Sequence, residues 1–274
     1  REVEPHATGI AALHLPRVCV TDFAAVTRAL AEDVQRAGGQ VLLGTRVLRL
    51  VREGDVVLET TVGALHAREV IACAGLHADR LARESGDAPP ARLIPFRGEY
   101  HLLSPEREHL VRGLVYPVPD PRLPFLGVHF TRRVAGGVDA GPNAVLALSR
   151  EGYRWGDVRL RDVAEAIGFG GFWRMAARHA RAGIEEVWRS LSRRRLVADL
   201  QRLVPEVREE DLVPGPSGVR AQAVDRRGGL LDDFLLVRRG RVLHVLNAPS
   251  PAATASLAIA RHVVEALTAG SWEP

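Results

Sequence analysis

The 274-residue chain contains no lysine, so every one of its 37 basic side chains other than histidine is an arginine. It is also poor in methionine, with one, in cysteine, with two, and in aromatic residues, at 5%. Two isolated thiols, Cys19 and Cys73, exclude a disulfide framework and a cysteine-rich zinc site, and read as small core residues in a reducing compartment. The sparse aromatics exclude a stacking platform interleaved with basic residues, and a net charge of +4 over this length is modest, so no nucleic-acid partner is expected. Arginine used throughout reads as a coding bias. No run approaches eighteen apolar residues and no charged start leads into an apolar stretch with a cleavage site, which excludes a transmembrane segment and a signal peptide by the usual patterns. A soluble, cytoplasmic chain is expected. Contact with the inner membrane face through arginine-rich helices stays open, although basic helix faces are ordinarily just solvated.

Two further absences concern binding motifs. No histidines pair at i, i+4 on a helix, so no metal is expected. No Gly-x-Gly-x-x-Gly turn is present either: Gly168-Phe-Gly-Gly171 reaches Trp173 where the third glycine is needed, and it follows a helical pattern. With Arg1 in place of an initiating methionine, and Met175 as the sole methionine, the chain reads as a fragment.

What is present begins with 46% apolar residues, ample for a core. Helical spacing at Phe23, Val26, Leu30 and Val34 predicts a helix over 22–37 that stops at Gly38-Gly39. Short β-rich runs follow at 41–43, 47–51, 56–61 and 69–74. The last ends at Gly75, and a helix over 77–84 follows. A strand, a small-residue turn and a helix at the carboxyl edge of a sheet form the arrangement where open α/β sheets bind ligands. A plain connecting turn gives the same pattern. From Arg92 to about Leu148 strands broken by proline and glycine predict an antiparallel second layer. Helical segments over 159–203 are broken at Gly168, Gly170-Gly171 and Gly183. The run Arg193-Arg194-Arg195 falls among leucines at helical spacing and reads as a solvated helix face. Strands return at 218–223, 230–237 and 241–246.

At the end of the last strand, Asn247-Ala-Pro-Ser-Pro251 leads into a helix of small residues. Ser250 stands as an N-cap and Pro251 as the first helical residue, which leaves backbone N–H groups for an anion or a flat ring. An ordinary capped helix on a strand is the alternative.

The motifs Pro95-Phe-Arg-Gly-Glu-Tyr100, Tyr116-Pro-Val-Pro-Asp-Pro121, Pro124-Phe-Leu-Gly-Val-His-Phe-Thr131, Gly141-Pro-Asn-Ala-Val-Leu-Ala147, Arg150-Glu-Gly-Tyr153, Gly218-Val-Arg-Ala-Gln222 and Asn247 to Thr254 carry a resemblance in their order. The chain resembles the L-2-hydroxyglutarate dehydrogenase/oxidase family, which belongs to the FAD-dependent oxidoreductases related to D-amino-acid oxidase. The resemblance implies a mixed α/β fold: the remainder of an FAD-binding Rossmann-like domain lacking its first βαβ unit, interleaved with an antiparallel-sheet substrate domain. The implied division is an FAD-binding part over 1–91, a substrate domain with a helical segment over 92–215, and a return to the FAD-binding domain over 216–274.

For FAD, the resemblance implies Val47 beside the adenine, Ala74, Gly75 and Leu76 near the adenosine–pyrophosphate half, and Asn247, Ala248, Pro249 and Ser250 under the flavin. It implies a small-molecule 2-hydroxy dicarboxylate as substrate, with quinone and oxygen both open as electron acceptor. Arg220 is expected to clamp a carboxylate, since guanidinium grips carboxylate through two parallel hydrogen bonds. His129, in an otherwise apolar strand, is expected as the base for the hydroxyl proton, because imidazole titrates near neutrality. A satisfied core histidine gives the same pattern. Arg97, Tyr100 and Tyr116 are expected at the substrate. Arg97 and Tyr100 share a strand but not a face, so at most one of the two points at it without a bulge. His244 is expected in the core.

Overall fold

The computed structural model describes residues 2–118, 127–249 and 251–268. They form two compact units, each assembled from several stretches of chain: the first from residues 1–22, 95–163 and 176–220, the second from 23–94, 164–175 and 221–274.

In the first unit the central element is a six-stranded sheet. Its strands are β5 (Ala91–Leu103), β6 (Leu114–Val115), β7 (His129–Arg132), β8 (Val138–Gly141), β9 (Val145–Leu146) and β10 (Leu212–Asp225); β5 and β10 each have one end in the second unit. The order is β10-β5-β8-β7-β6, and β9 pairs with β5. Antiparallel pairing sets Thr131 opposite Asp139, His129 opposite Gly141, and Leu102 opposite Asp139. Because alternate residues of a strand point to opposite faces, this register sorts the sheet into two surfaces. One carries Tyr100, Leu102, His129, Thr131 and Asp139. The other carries Leu103, Phe130, Val138 and Ala140, which are buried with Leu196, Val197 and Leu200 of a covering helix. Residues 159–203 are helical as the sequence predicts, in α3 (Leu160–Ile167), α4 (Gly170–Arg178), α5 (Ala180–Leu191) and α6 (Arg193–Leu200). Gly183 does not break the run. It lies inside α5, and the breaks fall at His179 and Ser192 instead.

The second unit holds α1 (Phe23–Arg36), the antiparallel meander β1 (Val47–Glu53), β2 (Asp55–Thr60) and β3 (Gly63–Ala67), then β4 (Val70–Ala72), α2 (Ala78–Glu84), β11 (Leu235–Arg239), β12 (Val242–Asn247) and α7 (Ser256–Thr268). β12 lies between β11 and β4, antiparallel to the first and parallel to the second. Its near-continuous apolar sequence suits a strand covered on both faces, and every residue from Val242 to Asn247 is buried. The run 41–43 forms no strand, since three apolar residues before Gly44 are too few to set a period. Both cysteines are exposed, which corrects the expectation of small core residues. No helix among the described residues is long and apolar enough to cross a membrane.

Candidate active site

On the open face of the first unit's sheet, four of the expected substrate residues come together. The Tyr116 ring stacks on the His129 imidazole, with centroids 4.1 Å apart and planes at 15°. The Tyr116 hydroxyl is 2.9 Å from Thr131 Oγ1, which fixes the ring over the strand. His129 itself is buried, and its Nδ1 lies 3.0 Å from the Gly127 carbonyl oxygen. A carbonyl only accepts, so Nδ1 carries the hydrogen and Nε2 keeps its lone pair. Burial pushes the His129 pKa down, and the hydrogen bond to Gly127 opposes this less strongly. The imidazole is therefore neutral and basic at Nε2 around neutral pH.

Tyr100 and Arg220 face each other electrostatically. Burial, with Tyr116 and Asp139 nearby, holds the Tyr100 phenol above its ordinary pKa, while Arg220 draws it down. Arg220 is exposed along β10, so its cation is accessible to a solute. Gly141 sits opposite His129 in a left-handed conformation with φ +134°, and a Cβ there would come within 3.0 Å of the Glu99 carbonyl oxygen and 3.6 Å of the Tyr100 ring. A larger residue would therefore crowd the site's floor.

Arg97 falls on the other face. It is 2% exposed, its guanidinium lies 2.8 Å from Glu99 Oε1, and it covers the Trp155 ring at 4.8 Å. Glu99 also accepts from Asn143 Nδ2 at 2.7 Å and from the Ser190 hydroxyl. The Arg97 charge is thus engaged behind the sheet, as the alternation of β5 requires once Tyr100 takes the front.

One residue of the front face has no counterpart in the sequence reading. Asp139 stands across from Thr131, and its buried Oδ1 has no hydrogen-bond partner among the described residues. Burial raises its pKa, and Arg133, 3.7 Å away, opposes this. Period-two counting from His129 through Thr131 across a hairpin would have found it.

In the second unit, Val47 and Ala74 line one cavity of about 370 Å³ together with Leu50, Leu58, Ile71 and Cys73. Arg46, His77, Arg80 and Glu84 add polar groups to its wall. Gly75, with φ +50°, opens the short turn that leads into α2, and Leu76 lies within that turn. Arg80 is held in place by Glu165 at 2.8 Å. An apolar lining with two guanidinium groups in the wall, Arg46 exposed and Arg80 buried, is compatible in its chemistry with a heteroaromatic ring attached to phosphate.

At the end of β12, the buried Asn247 amide donates to the Leu231 carbonyl at 3.2 Å and to the Asp233 carbonyl at 2.7 Å. This straps the chain where Ala248 and Pro249 leave the strand. Ser250 lies outside the described residues. The helix itself begins later than its proline suggested: α7 opens at Ser256, and residues 251–255 form turns. The N–H groups of Ala252, Thr254, Ala255 and Ser256 donate to carbonyls three residues back, so they are occupied rather than free. Successive turns satisfy the donors that a helix starting at Pro251 would have left open. Among the described residues no group of three or more histidine, cysteine, aspartate or glutamate side chains is arranged to hold a metal.

The family model described as FAD dependent oxidoreductase matches residues 1–266. The chain belongs to this family. Among its relatives, L-2-hydroxyglutarate dehydrogenase of Indibacter alkaliphilus is 45% identical over 97% of this chain and 67% of that protein. The protein of the same name from Escherichia coli K12 is 42% identical, over 96% of this chain and 63% of its own length. The mitochondrial L-2-hydroxyglutarate dehydrogenase of Homo sapiens is 40% identical, over 97% and 61%. This FAD dependent oxidoreductase chain thus spans roughly two thirds of the length of the curated relatives it matches. Among solved structures, an L-alpha-glycerophosphate oxidase from Mycoplasma pneumoniae superposes with TM-score 0.64 at 19% identity, over 90% of this chain and 55% of that one. Glycine oxidase from Geobacillus kaustophilus does so with TM-score 0.53 at 17% identity, over 90% and 54%. These neighbours show the fold, a mixed α/β architecture shared with FAD-dependent oxidoreductases.

Proposed function

We propose that this chain is part of an enzyme that oxidises L-2-hydroxyglutarate to 2-oxoglutarate, an alcohol at C2 becoming a ketone. Bound FAD supplies the acceptor for the hydride leaving C2. Arg220 binds a substrate carboxylate through two parallel hydrogen bonds, which fixes the orientation of C2 as well as the charge. The Nε2 lone pair of His129 takes the hydroxyl proton, and the Gly127 carbonyl stabilises the tautomer that leaves that nitrogen bare. Tyr116, held by Thr131, keeps the imidazole plane in place by stacking. The Tyr100 phenol, kept protonated by its raised pKa, offers a hydrogen bond to the same substrate. Val47, Ala74, Gly75 and Leu76 hold the adenosine half of the cofactor, and Asn247, Ala248 and Pro249 support the flavin end.

The observation that carries this reading is the gathering of Tyr100, Tyr116, His129 and the accessible Arg220 on one sheet surface. The experiment is an FAD titration of the chain followed by flavin fluorescence, then addition of L-2-hydroxyglutarate without oxygen. Saturable binding and loss of flavin colour are expected of the complete protein of which this chain is part, and weak binding of the chain by itself. The Arg220→Ala variant should bind FAD equally well but need on the order of a hundredfold more substrate, the worth of about two charge-assisted hydrogen bonds. A response to amino acids alone would overturn the assignment.

A further inference from the structure

On the front face of the first unit's sheet, Asp139 stands at the end of a hollow. It pairs directly with Thr131 of β7 and with Leu102 of β5, so His129 and Tyr100 are its diagonal neighbours, one on each side. Diagonal neighbours in a sheet lie about 7–8 Å apart, within reach of a small molecule that touches both. Gly141, two residues on in β8 and opposite His129, puts no side chain between the two rings, and a Cβ added there would come within 3.6 Å of the Tyr100 ring. The hollow therefore has Gly141 as its floor, His129 and Tyr100 as walls, and Asp139 at one end. Tyr100 also lies within electrostatic reach of Asp139 and of Arg220 alike, which brings a carboxyl group and a guanidinium to the same phenol.

The carboxyl group is committed to little inside the fold. The Asp139 side chain is 18% exposed, and its Oδ1 is buried with no hydrogen-bond partner among the described residues. Arg133 is 43% exposed and lies 3.7 Å from Oδ2, beyond hydrogen-bond range, in a pair that solvent weakens. The other ionisable groups on this face are Tyr100, Tyr116 and the neutral His129, none of them a cation. A buried acceptor left unmatched is costly, so its place on the wall of a site points to a partner that arrives from solution. An ionised Asp139 would meet the distal carboxylate of a 2-hydroxy dicarboxylate as like charge, and two carboxylates at hydrogen-bond distance do not both ionise. One proton between them turns the repulsion into a charge-assisted O–H···O hydrogen bond. Burial already favours the protonated form of Asp139, against the opposing pull of Arg133.

We propose that Asp139 determines specificity at the far end of the substrate by sharing one proton with its distal carboxylate, while Arg220 holds the carboxylate beside C2. This rests on the oxidation proposed above. Binding the dicarboxylate needs the proton, so affinity is full below the pKa of the Asp139 carboxyl and is lost as pH rises through it. The test compares kcat/KM of the complete FAD-loaded protein for L-2-hydroxyglutarate and for L-2-hydroxyglutaramate, whose distal group is an amide, from pH 5.5 to 8.5. Both substrates use His129 and the flavin alike, so the ratio isolates the far end. The amide N–H donates to an ionised carboxylate, and the ratio should therefore favour the dicarboxylate at low pH and fall about tenfold or more as pH rises. In Asp139→Asn, whose side-chain amide donates at every pH, the ratio should be flat. Asp139→Ala should raise KM for the dicarboxylate about tenfold at pH 5.5, with a smaller loss in kcat. Arg133→Gln removes the cation that opposes protonation, and should move the fall to higher pH. A ratio that is constant with pH in the parent protein, or that falls equally in Asp139→Asn, overturns the proposal and leaves the oxidation standing. Absence of flavin reduction by L-2-hydroxyglutarate in the parent protein overturns both.

Discussion

Two histidines, His129 in the first unit and His244 in the second, occupy apolar strands in the same way, and their surroundings separate them. His129 Nδ1 meets a backbone carbonyl, so its second nitrogen is bare, and its ring is covered by an aromatic that is itself 45% exposed. His244, 1% exposed, meets the Asp87 carboxylate at 3.1 Å through Nε2, and its Nδ1 is buried without a hydrogen-bond partner among the described residues. Asp87 is also gripped by Arg52 through both guanidinium nitrogens, at 2.9 Å and 3.1 Å. Burial lowers the pKa of each imidazole. The difference lies in access and in the partner: a carbonyl leaves a base facing a site, whereas a carboxylate clamped by arginine fixes a ring in a core.

That contrast is breakable. His129→Gln should lower the rate of flavin reduction by about 10²–10⁴-fold, the usual worth of a positioned base, with little change in the unfolding midpoint. Comparable losses from His244→Gln would erase the distinction. Asp87→Ala should act the other way, costing about 1–3 kcal/mol in denaturant unfolding because it leaves the buried His244 without its hydrogen-bond partner and Arg52 without its carboxylate, while substrate dependence stays as it was. A change confined to kinetics would show that the cluster is not the structural clasp described.

The smallest expected effect is on pH. Both histidines have folded pKa values below the unfolded value of about 6.5, so the unfolded chain binds more protons in the interval between. Stability is therefore full above about pH 6.5 and declines as pH falls toward the folded values. For His244, Asp87 raises the pKa against burial while Arg52 and Arg239 lower it further. Unfolding midpoints measured from pH 8 down to 5 should fall less steeply in His244→Gln than in the parent chain. An unchanged slope would mean that this histidine does not contribute to acid sensitivity.

Much of this was legible in the chain. The α1 stripe is long enough to declare its period, the apolar runs around β4 and β12 are bounded by turn residues, and Arg97 and Tyr100 separate by parity alone. Other features depend on tertiary contacts. Pro251 and small residues look like a helix start, but successive turns consume the same N–H groups, and only hydrogen bonds distinguish the two. In α5, spacing reveals a stripe and not its direction, because Glu186, Arg189 and Ser190 find partners distant in sequence that turn the polar side inward. Asp139 escaped notice for a related reason: its place beside His129 arises from the pairing of β7 with β8.

The Glu99 cluster has a consequence for how such a site could change. Glu99 receives Arg97, Asn143 and Ser190, and its own N–H donates to Asn143 Oδ1 at 2.8 Å, so the strand that presents Tyr100 is moored from the rear as well as by its neighbours in the sheet. Fixings and tools occupy opposite surfaces of one strand. New substrates can therefore be sought by exchanging Tyr100, Thr131 and Asp139 while the moorings are left alone, and loss of a mooring would misaim every one of those exchanges at once.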